Sequence, residues 1–384
     1  MLKQYAVEDL REGMVLGRSI YEEDSNVLIG AGTVLTNQMI FSLLERPIFN
    51  VYIEMAEAAH QEKNDEKVTP TVKKKEAVPA IKVRTIPEKT QLLDASYVQC
   101  YEQVFAALRQ IFDQAARSGS VDMESVRRLG ESGQLMQLCD GAKAVTQIHN
   151  MVREGDYLLH HSVHVAILAG LMGRWLHLPK QQLQKLMVSG LLHDIGKLRI
   201  SNDILNKPGK LTLTELKVVQ RHPVLSYEML SNGPMASEKE ILSGALQHHE
   251  RNDGSGYPQG SHKRDIGDFG RILAILDVYD AMAANRAYAK KRSPFEVFGV
   301  LSDDIMTGRL DTEYGILFIR QVCHALNGNW VKLTTGEKAK MVYIDETRLS
   351  ALPVVQTMSG DFIDLNTNPS IRIECLLTHE EIEE

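Results

Sequence analysis

The sequence predicts a mainly α-helical protein, with a small β-rich α+β domain ahead of the helices and a short β tail behind them. Three observations predict it. Across residues 92–326 apolar side chains recur three and four apart, the helical period, as in YVQCYEQVFAALRQIFDQAAR at 97–117. Residues 1–56 and 327–384 break instead into short apolar runs separated by turn residues, the pattern of strands. Residues 57–91 are densely charged, carry prolines at 70, 79 and 87 and show no apolar stripe, which is the composition of a solvated linker.

GMVLGRSI (13–20) and NVLIGAGTVL (26–35) read as strands, TNQMIFSLLE (36–45) as a helix and VYIE (51–54) as a closing strand. In the long region, MESVRRLGESGQLMQLCDGAKAVTQIHNMV (123–152) continues the helical period. Ser201-Asn202 and Thr214 stand where helices should begin, and Pro179 and Pro208 where helices cannot continue. KMVYID (340–345), PVVQT (353–357) and SIRIECLL (370–377) return to short strands.

Composition removes several function classes. With 43% hydrophobic and 24% charged residues over 384 positions, the chain has ample material for a core. A net charge of −7 argues against a nucleic-acid scaffold, and 6% aromatics against a base-stacking surface for single strands. Cys100, Cys139, Cys323 and Cys375 are far apart and form no Cys-x-x-Cys, so reduced thiols are expected rather than a zinc ribbon or a disulfide frame. MLKQYAVEDLREGM lacks the apolar run of a signal peptide. The most apolar stretch, 163–178, is interrupted by His164, Arg174 and His177 and is too short to span a bilayer. A cytoplasmic protein with no membrane insertion is expected.

The histidines carry the chemistry. HHERNDGSGYP (248–258) sets two adjacent imidazoles ahead of a glycine-rich turn where backbone can approach a ligand closely. His160, His161 and His164 share one helical stretch, His193-Asp194 and His222-Pro223 follow, and Asp277 interrupts the apolar run RILAILDVYD. Singly, each has an ordinary explanation: a cap, a helix start, one core and one solvated histidine. Asp277 resists this, because an unpaired buried carboxylate costs several kcal/mol. Imidazoles and carboxylates recurring at the ends of successive helices point to divalent metal. Helical spacing alone would nominate His160 and His164, four apart on one face, as the ligand pair from the first helix.

HSVHVA (161–166), LLHDIGKL (191–198), ILNKPGKLT (204–212), RHP (221–223), HHERNDGSGYP and RILAILDVYDAMAANRAY (271–288) resemble, in order and spacing, the HD-GYP family of HD-domain metal phosphohydrolases. The resemblance covers roughly residues 150–326. It implies an HD-type helical bundle holding two divalent ions, iron or manganese, on His161, His193, Asp194, His222, His248, His249 and Asp277, with Asp194 bridging. It thus selects His161 over His160 and His164. Some members hold a third metal with a Glu four residues before the first histidine; Tyr157 stands there in this chain, so two metals are expected.

The resemblance further implies hydrolysis of cyclic di-GMP to linear pGpG and on to GMP. Asp194 and Lys197 would serve the reaction, and Lys197, Asp253, Gly256, Tyr257, Pro258 and Arg286 would bind substrate. The chain departs from the family at Ala287 and Ala289, where proline and a cation are usual, and at Asn252, where an aromatic is common. Those departures leave open another cyclic dinucleotide such as 3',3'-cyclic GMP-AMP. A non-hydrolysing regulator is the alternative of a different class, though such members normally lose ligands. Diguanylate cyclase domains are the protein partners implied for the Gly-Tyr-Pro loop, and a homodimer is left open. VEDLREGMVLGRSIY (7–21) resembles the small module found ahead of such domains, implying a regulatory or docking role.

Overall fold

The computed structural model describes residues 2–6, 10, 13–17, 20–21, 27–30, 32–36, 39, 43, 50–54, 94–150, 156–232, 234–283, 293–345, 348–377 and 381–382. The chain divides into two compact units, residues 1–82 and 83–384. The expected linker at 57–91, most of the expected helix at 36–45, and Arg286 with Ala287 and Ala289 lie outside the described residues.

In the first unit β1 (Leu2–Ala6) pairs antiparallel with β4 (Asn50–Glu54), and β2 (Ile20–Tyr21) with β3 (Val27–Ile29). Leu10, Leu16, Leu35, Leu43, Val51 and Ile53 form its core.

The second unit is mainly helical. Its helices are α1 (Ala95–Ser118), α2 (Met123–Glu131), α3 (Gly133–Leu138), α4 (Gly141–Asn150), α5 (Tyr157–Trp175), α6 (Lys180–Leu192), α7 (Asn202–Leu205), α8 (Leu213–Val219), α9 (His222–Ser231), α10 (Lys239–Gln247), α11 (Asp268–Ala283), α12 (Pro294–Met306) and α13 (Thr312–Leu326). Their ends follow local chemistry. Asp94 caps α1 by accepting from the Ser96 N–H, and Gly119 closes it at φ 72°, where a side chain would be strained. The expected start at Thr214 is corrected to Thr212: a capping box needs an acid three residues on, and Glu215 answers Thr212.

Two helices set up the site. From His161 to Gly173 every residue of α5 is buried, the signature of a helix surrounded by others. Its partner α6 approaches so closely that a Cβ on Gly190 would lie 2.9 Å from Ala166 Cα. That contact presents the C-terminal end of α6, and with it His193-Asp194, beside α5. A 3₁₀ turn (Ile195–Arg199) follows, and a Cβ on Gly196 would sit 2.3 Å from the His222 carbonyl, so this glycine lets the turn meet the start of α9. No helix among the described residues is long and apolar enough to cross a membrane.

The expected β tail forms a five-stranded antiparallel sheet in the order β8 (Phe362–Asp364), β7 (Val354–Thr357), β6 (Lys338–Tyr343), β5 (Trp330–Leu333), β9 (Ile373–Leu376). Val331, Leu333, Ala339, Met341 and Val355 alternate inward and share one hydrophobic core with the helices.

Candidate metal centre

Three helix ends and two helix interiors deliver the predicted donors to one place. His161 comes from α5 and Asp277 from α11; His193 closes α6 and Asp194 follows it; His222 opens α9; His248 and His249 follow α10. Donor atoms of Asp194, His222, His248 and His249 lie within 4.8 Å of one another, as do those of His161, His193 and Asp277. Six of these side chains are buried and His249 is partly so. Asp194 faces both groups. Its Oδ1 is 3.1 Å from His222 Nε2 and 3.8 Å from His248 Nε2, while Oδ2 is 3.4 Å from His193 Nε2 and 3.6 Å from His161 Nε2.

The hydrogen bonds of the imidazoles decide what these short distances mean. A carbonyl oxygen only accepts, so each ring nitrogen facing one carries the proton. His193 Nδ1 donates to the Gly190 carbonyl at 2.8 Å, His222 Nδ1 to that of Val219 at 2.7 Å, and His248 Nδ1 to that of Ala245 at 3.0 Å. His161 Nδ1 donates to the Asp280 carboxylate at 2.8 Å. The Nε2 atoms of these four rings therefore face inward, and those of His193 and His248, which burial holds below the ordinary imidazole range, present lone pairs. His222 and His248 bring their Nε2 atoms 3.2 Å apart, and His161 and His193 bring theirs 3.3 Å apart. The buried Asp194 Oδ1 accepts no hydrogen bond among the described residues. Lone pairs and carboxylates converging in a dry pocket repel unless a cation sits among them, and imidazole with carboxylate is the donor set of a borderline divalent metal. The residues fit such an ion.

The electrostatics agree. Burial, reinforced by His249, pushes His248 well below the ordinary imidazole range, and burial pulls His249 down to about 3 and lowers His193. These rings are neutral donors at neutral pH. His161 moves the other way: burial lowers it, but Tyr157, Asp277 and Asp280 together lift it well above its usual value. Asp194 would be raised by burial, yet Lys197, His193 and His222 hold it well below the carboxylate range. For Asp277 the same reversal comes from His161 and His249.

Lys197 Nζ lies 2.5 Å from Asp194 Oδ2, so the two residues of the HDxxK stretch are in direct contact. Tyr257 stacks on His249, ring centroids 4.7 Å apart at 25°, and donates its N–H to the His249 carbonyl. Gly256 must be glycine: a Cβ there would lie 2.4 Å from the Arg251 nitrogen. Pro258 follows through a cis peptide bond. Asp253 is not brought into the cluster; it is exposed, and its carboxylate accepts from the Ser255 N–H at 2.9 Å and the Ser255 hydroxyl at 2.6 Å. His160 and His164 also fall elsewhere, on Tyr101 and Asp280 respectively.

Three residues of the site escaped the sequence reading. Asp280 holds His161; its signal was a second carboxylate in the apolar run that exposed Asp277. Glu250 is buried and accepts the backbone N–H groups of Gln259 at 2.7 Å and Ser261 at 2.9 Å, closing the Gly-Tyr-Pro loop. Ser226 accepts from Gly196 N and donates to the His193 carbonyl, each at 2.8 Å. Neither of these two carried a sequence signal, because their partners are backbone atoms.

Residues 144–313 match the family profile described as an HD domain. The helical bundle with its histidine and aspartate centre is an HD domain. Within it, the order HDIGK, RHP, HHERNDGSGYP and LDVYDAM resembles the HD-GYP type. The chain is 33% identical over 231 residues to the cyclic di-GMP phosphodiesterase PA4108 of Pseudomonas aeruginosa, covering 60% of this chain and 53% of the relative. It is 35% identical to the 3'3'-cGAMP-specific phosphodiesterase 1 of Vibrio cholerae over 44% of this chain and 38% of that one. It is 41% identical to the cyclic di-GMP phosphodiesterase response regulator RpfG of Xanthomonas campestris over 32% of each chain. The chain thus spans about half or less of the length of these curated relatives.

Proposed function

We propose that this chain is a metal-dependent phosphodiesterase that hydrolyses cyclic di-GMP to linear pGpG and on to GMP. The observation that carries the reading is the convergence of inward lone pairs and two carboxylates into two donor groups that share Asp194. His161, His193 and Asp277 would hold one ion and His222, His248 and His249 the other, with Asp194 between them; iron and manganese suit the donors. When bound, such ions lower the pKa of a water and offset charge growing on a phosphoryl group.

The chain's own residues do the rest. Lys197 would leave Asp194 to hold a non-bridging phosphoryl oxygen or to deliver a proton to the departing 3′-oxygen. Tyr257 would take a guanine on the ring face that His249 does not cover, with Gly256 and Pro258 fixing the loop. Arg286 would bind phosphate, and Asp253 would line the substrate loop. Cytoplasmic location, docking of diguanylate cyclase domains on the Gly-Tyr-Pro loop and a regulatory role for residues 1–56 belong to the same reading.

A second reading, hydrolysis of 3',3'-cyclic GMP-AMP, is favoured by the relative of that named specificity and by Ala287 and Ala289. A non-hydrolysing regulator is disfavoured because all the ligand positions are filled. The test is turnover of cyclic di-GMP and of cyclic GMP-AMP by protein loaded with Mn²⁺ or Fe²⁺, with products separated chromatographically. Faster release of pGpG from cyclic di-GMP supports the proposal. Preference for the mixed dinucleotide selects the second reading, and no cleavage of either refutes both.

A further inference from the structure

We infer that Asp280 is the positioning residue that fixes His161 as a donor, giving the His161, His193 and Asp277 side of the centre the firmer hold on its cation. The assignment rests on the metal-centre reading above. Asp280 is buried on α11, three residues after Asp277, so both carboxylates meet α5. Asp277 Oδ1 lies 3.0 Å from His161 Nε2, and Asp280 Oδ2 lies 2.8 Å from Nδ1 of the same ring. Asp280 thus holds the ring at Nδ1, while Nε2 and Asp277 face each other as donors to the same cation.

Among the inward-facing Nε2 donors, His193, His222 and His248 give their Nδ1 protons to backbone carbonyls. His161 alone of the four gives its proton to a charged side chain. A carboxylate makes a stronger bond than a carbonyl, leaves more electron density at Nε2 and adds negative charge behind the donor. The other oxygen of Asp280 is 3.2 Å from His164 Nδ1, which keeps the carboxylate turned toward His161. This accounts for a second histidine one turn beyond the first on α5. It is not a ligand; it orients the residue that orients one.

The two sides of the centre are therefore unequal, and the inequality can be removed by one substitution. Full-length apo protein would be titrated with Mn²⁺ by calorimetry, with melting of the apo forms recorded alongside. The unmutated chain should show two binding events of different affinity. Asp280→Asn, which keeps the shape and loses the charge, should weaken the tighter event about 10- to 100-fold and leave the other in place. His164→Gln still offers Asp280 an N–H donor, and should leave both events unchanged. Wild-type affinity in Asp280→Asn overturns the inference. So does an equal weakening in both variants, since that reports loosened packing. Absence of any Mn²⁺ binding by the unmutated chain is a different failure, that of the metal-centre reading itself. A measurement independent of the variants is the proton spectrum of the Zn²⁺-loaded chain. One imidazole N–H should resonate well downfield of those bonded to carbonyls, and its absence also overturns the inference.

Discussion

His222 Nε2 stands 3.1 Å from Asp194 Oδ1, while its Nδ1 donates to the Val219 carbonyl at 2.7 Å. Against the effect of burial, Lys197, His193 and His222 together hold Asp194 well below the carboxylate range, so its charge stabilises the fold even before metal binds. Asp194→Asn removes that charge and leaves the Lys197 ammonium without its carboxylate. The apo variant should melt below the apo wild type. Added Mn²⁺ should stabilise the wild type, by about 2.7 kcal/mol at a hundred times its Kd, and leave the variant unmoved. A chelator should return the wild type to its apo melting point. Scanning calorimetry with and without Mn²⁺ checks all of this.

Lys197 separates metal binding from turnover. Its ammonium neutralises Asp194 from 2.5 Å, and burial, which would lower it, is outweighed by Asp194 so that its pKa is raised. Lys197→Met keeps the stem packing but removes that charge. The centre then becomes more negative, so Mn²⁺ should bind as tightly as before or more so. Turnover should fall by about 10² or more, the cost of removing one donor to developing charge. Metal content after dialysis and kcat on cyclic di-GMP make the test.

The site was more legible in the sequence than its support. Imidazole and carboxylate are rare in cores, so His193, Asp194, His222, His248, His249 and Asp277 stood out, the resemblance added His161, and the donor atoms of the seven fall into two close groups. Position on a helix did not suffice by itself: spacing favoured His160 and His164, and nothing local shows that α11 lies against the face of His161. Asp280 was invisible as a partner because the contact joins residues 119 positions apart. The start of α8 was readable after all, since only Thr212 has an acid three residues on. Asp253 looked like a ligand-facing carboxylate, but an Asp two residues before a Ser readily closes its own turn.

Gly196 tests how finely the backbone sets the centre. A Cβ there would meet the His222 carbonyl at 2.3 Å and the Ser226 nitrogen at 2.4 Å, both backbone atoms of α9. Gly196→Ala must push the turn carrying Asp194 away from α9, at a stability cost of about 1–3 kcal/mol. Because His222 is in that first turn, the Asp194 to His222 spacing opens as well. Mn²⁺ affinity should drop even though no ligand has changed. Gly133→Ala meets nothing within 4 Å and is the control. Equal Mn²⁺ affinity in the two variants would show that the glycine is not setting the spacing.

Acid should weaken the corner of the helical unit held by Asp311. Asp311 caps α13 through the Glu313 and Tyr314 N–H groups, and its other oxygen takes Arg271 at 2.6 Å and Lys263 at 3.2 Å. Burial would raise its pKa, but Arg271, the Tyr314 N–H and Lys263 lower it below the ordinary carboxylate value. A carboxyl depressed on folding stabilises the native state above its unfolded pKa, near 4, and loses that contribution as pH falls through the lower folded value. Asp311→Asn should therefore cost about 1.5–3 kcal/mol at pH 7, the range for hydrogen bonds to a charged group. The gap between variant and wild type should stay constant down to about pH 4 and close below it. Lys263 lies just beyond the Gly-Tyr-Pro loop, and its N–H bonds to the Asn252 carbonyl, so the loop should loosen together with the helix cap. Urea melts at pH 7, 5 and 3.5, with limited proteolysis of residues 251–263, would show whether the two events coincide. A gap that persists unchanged at the lowest pH would mean that the Asp311 charge is not what holds this corner.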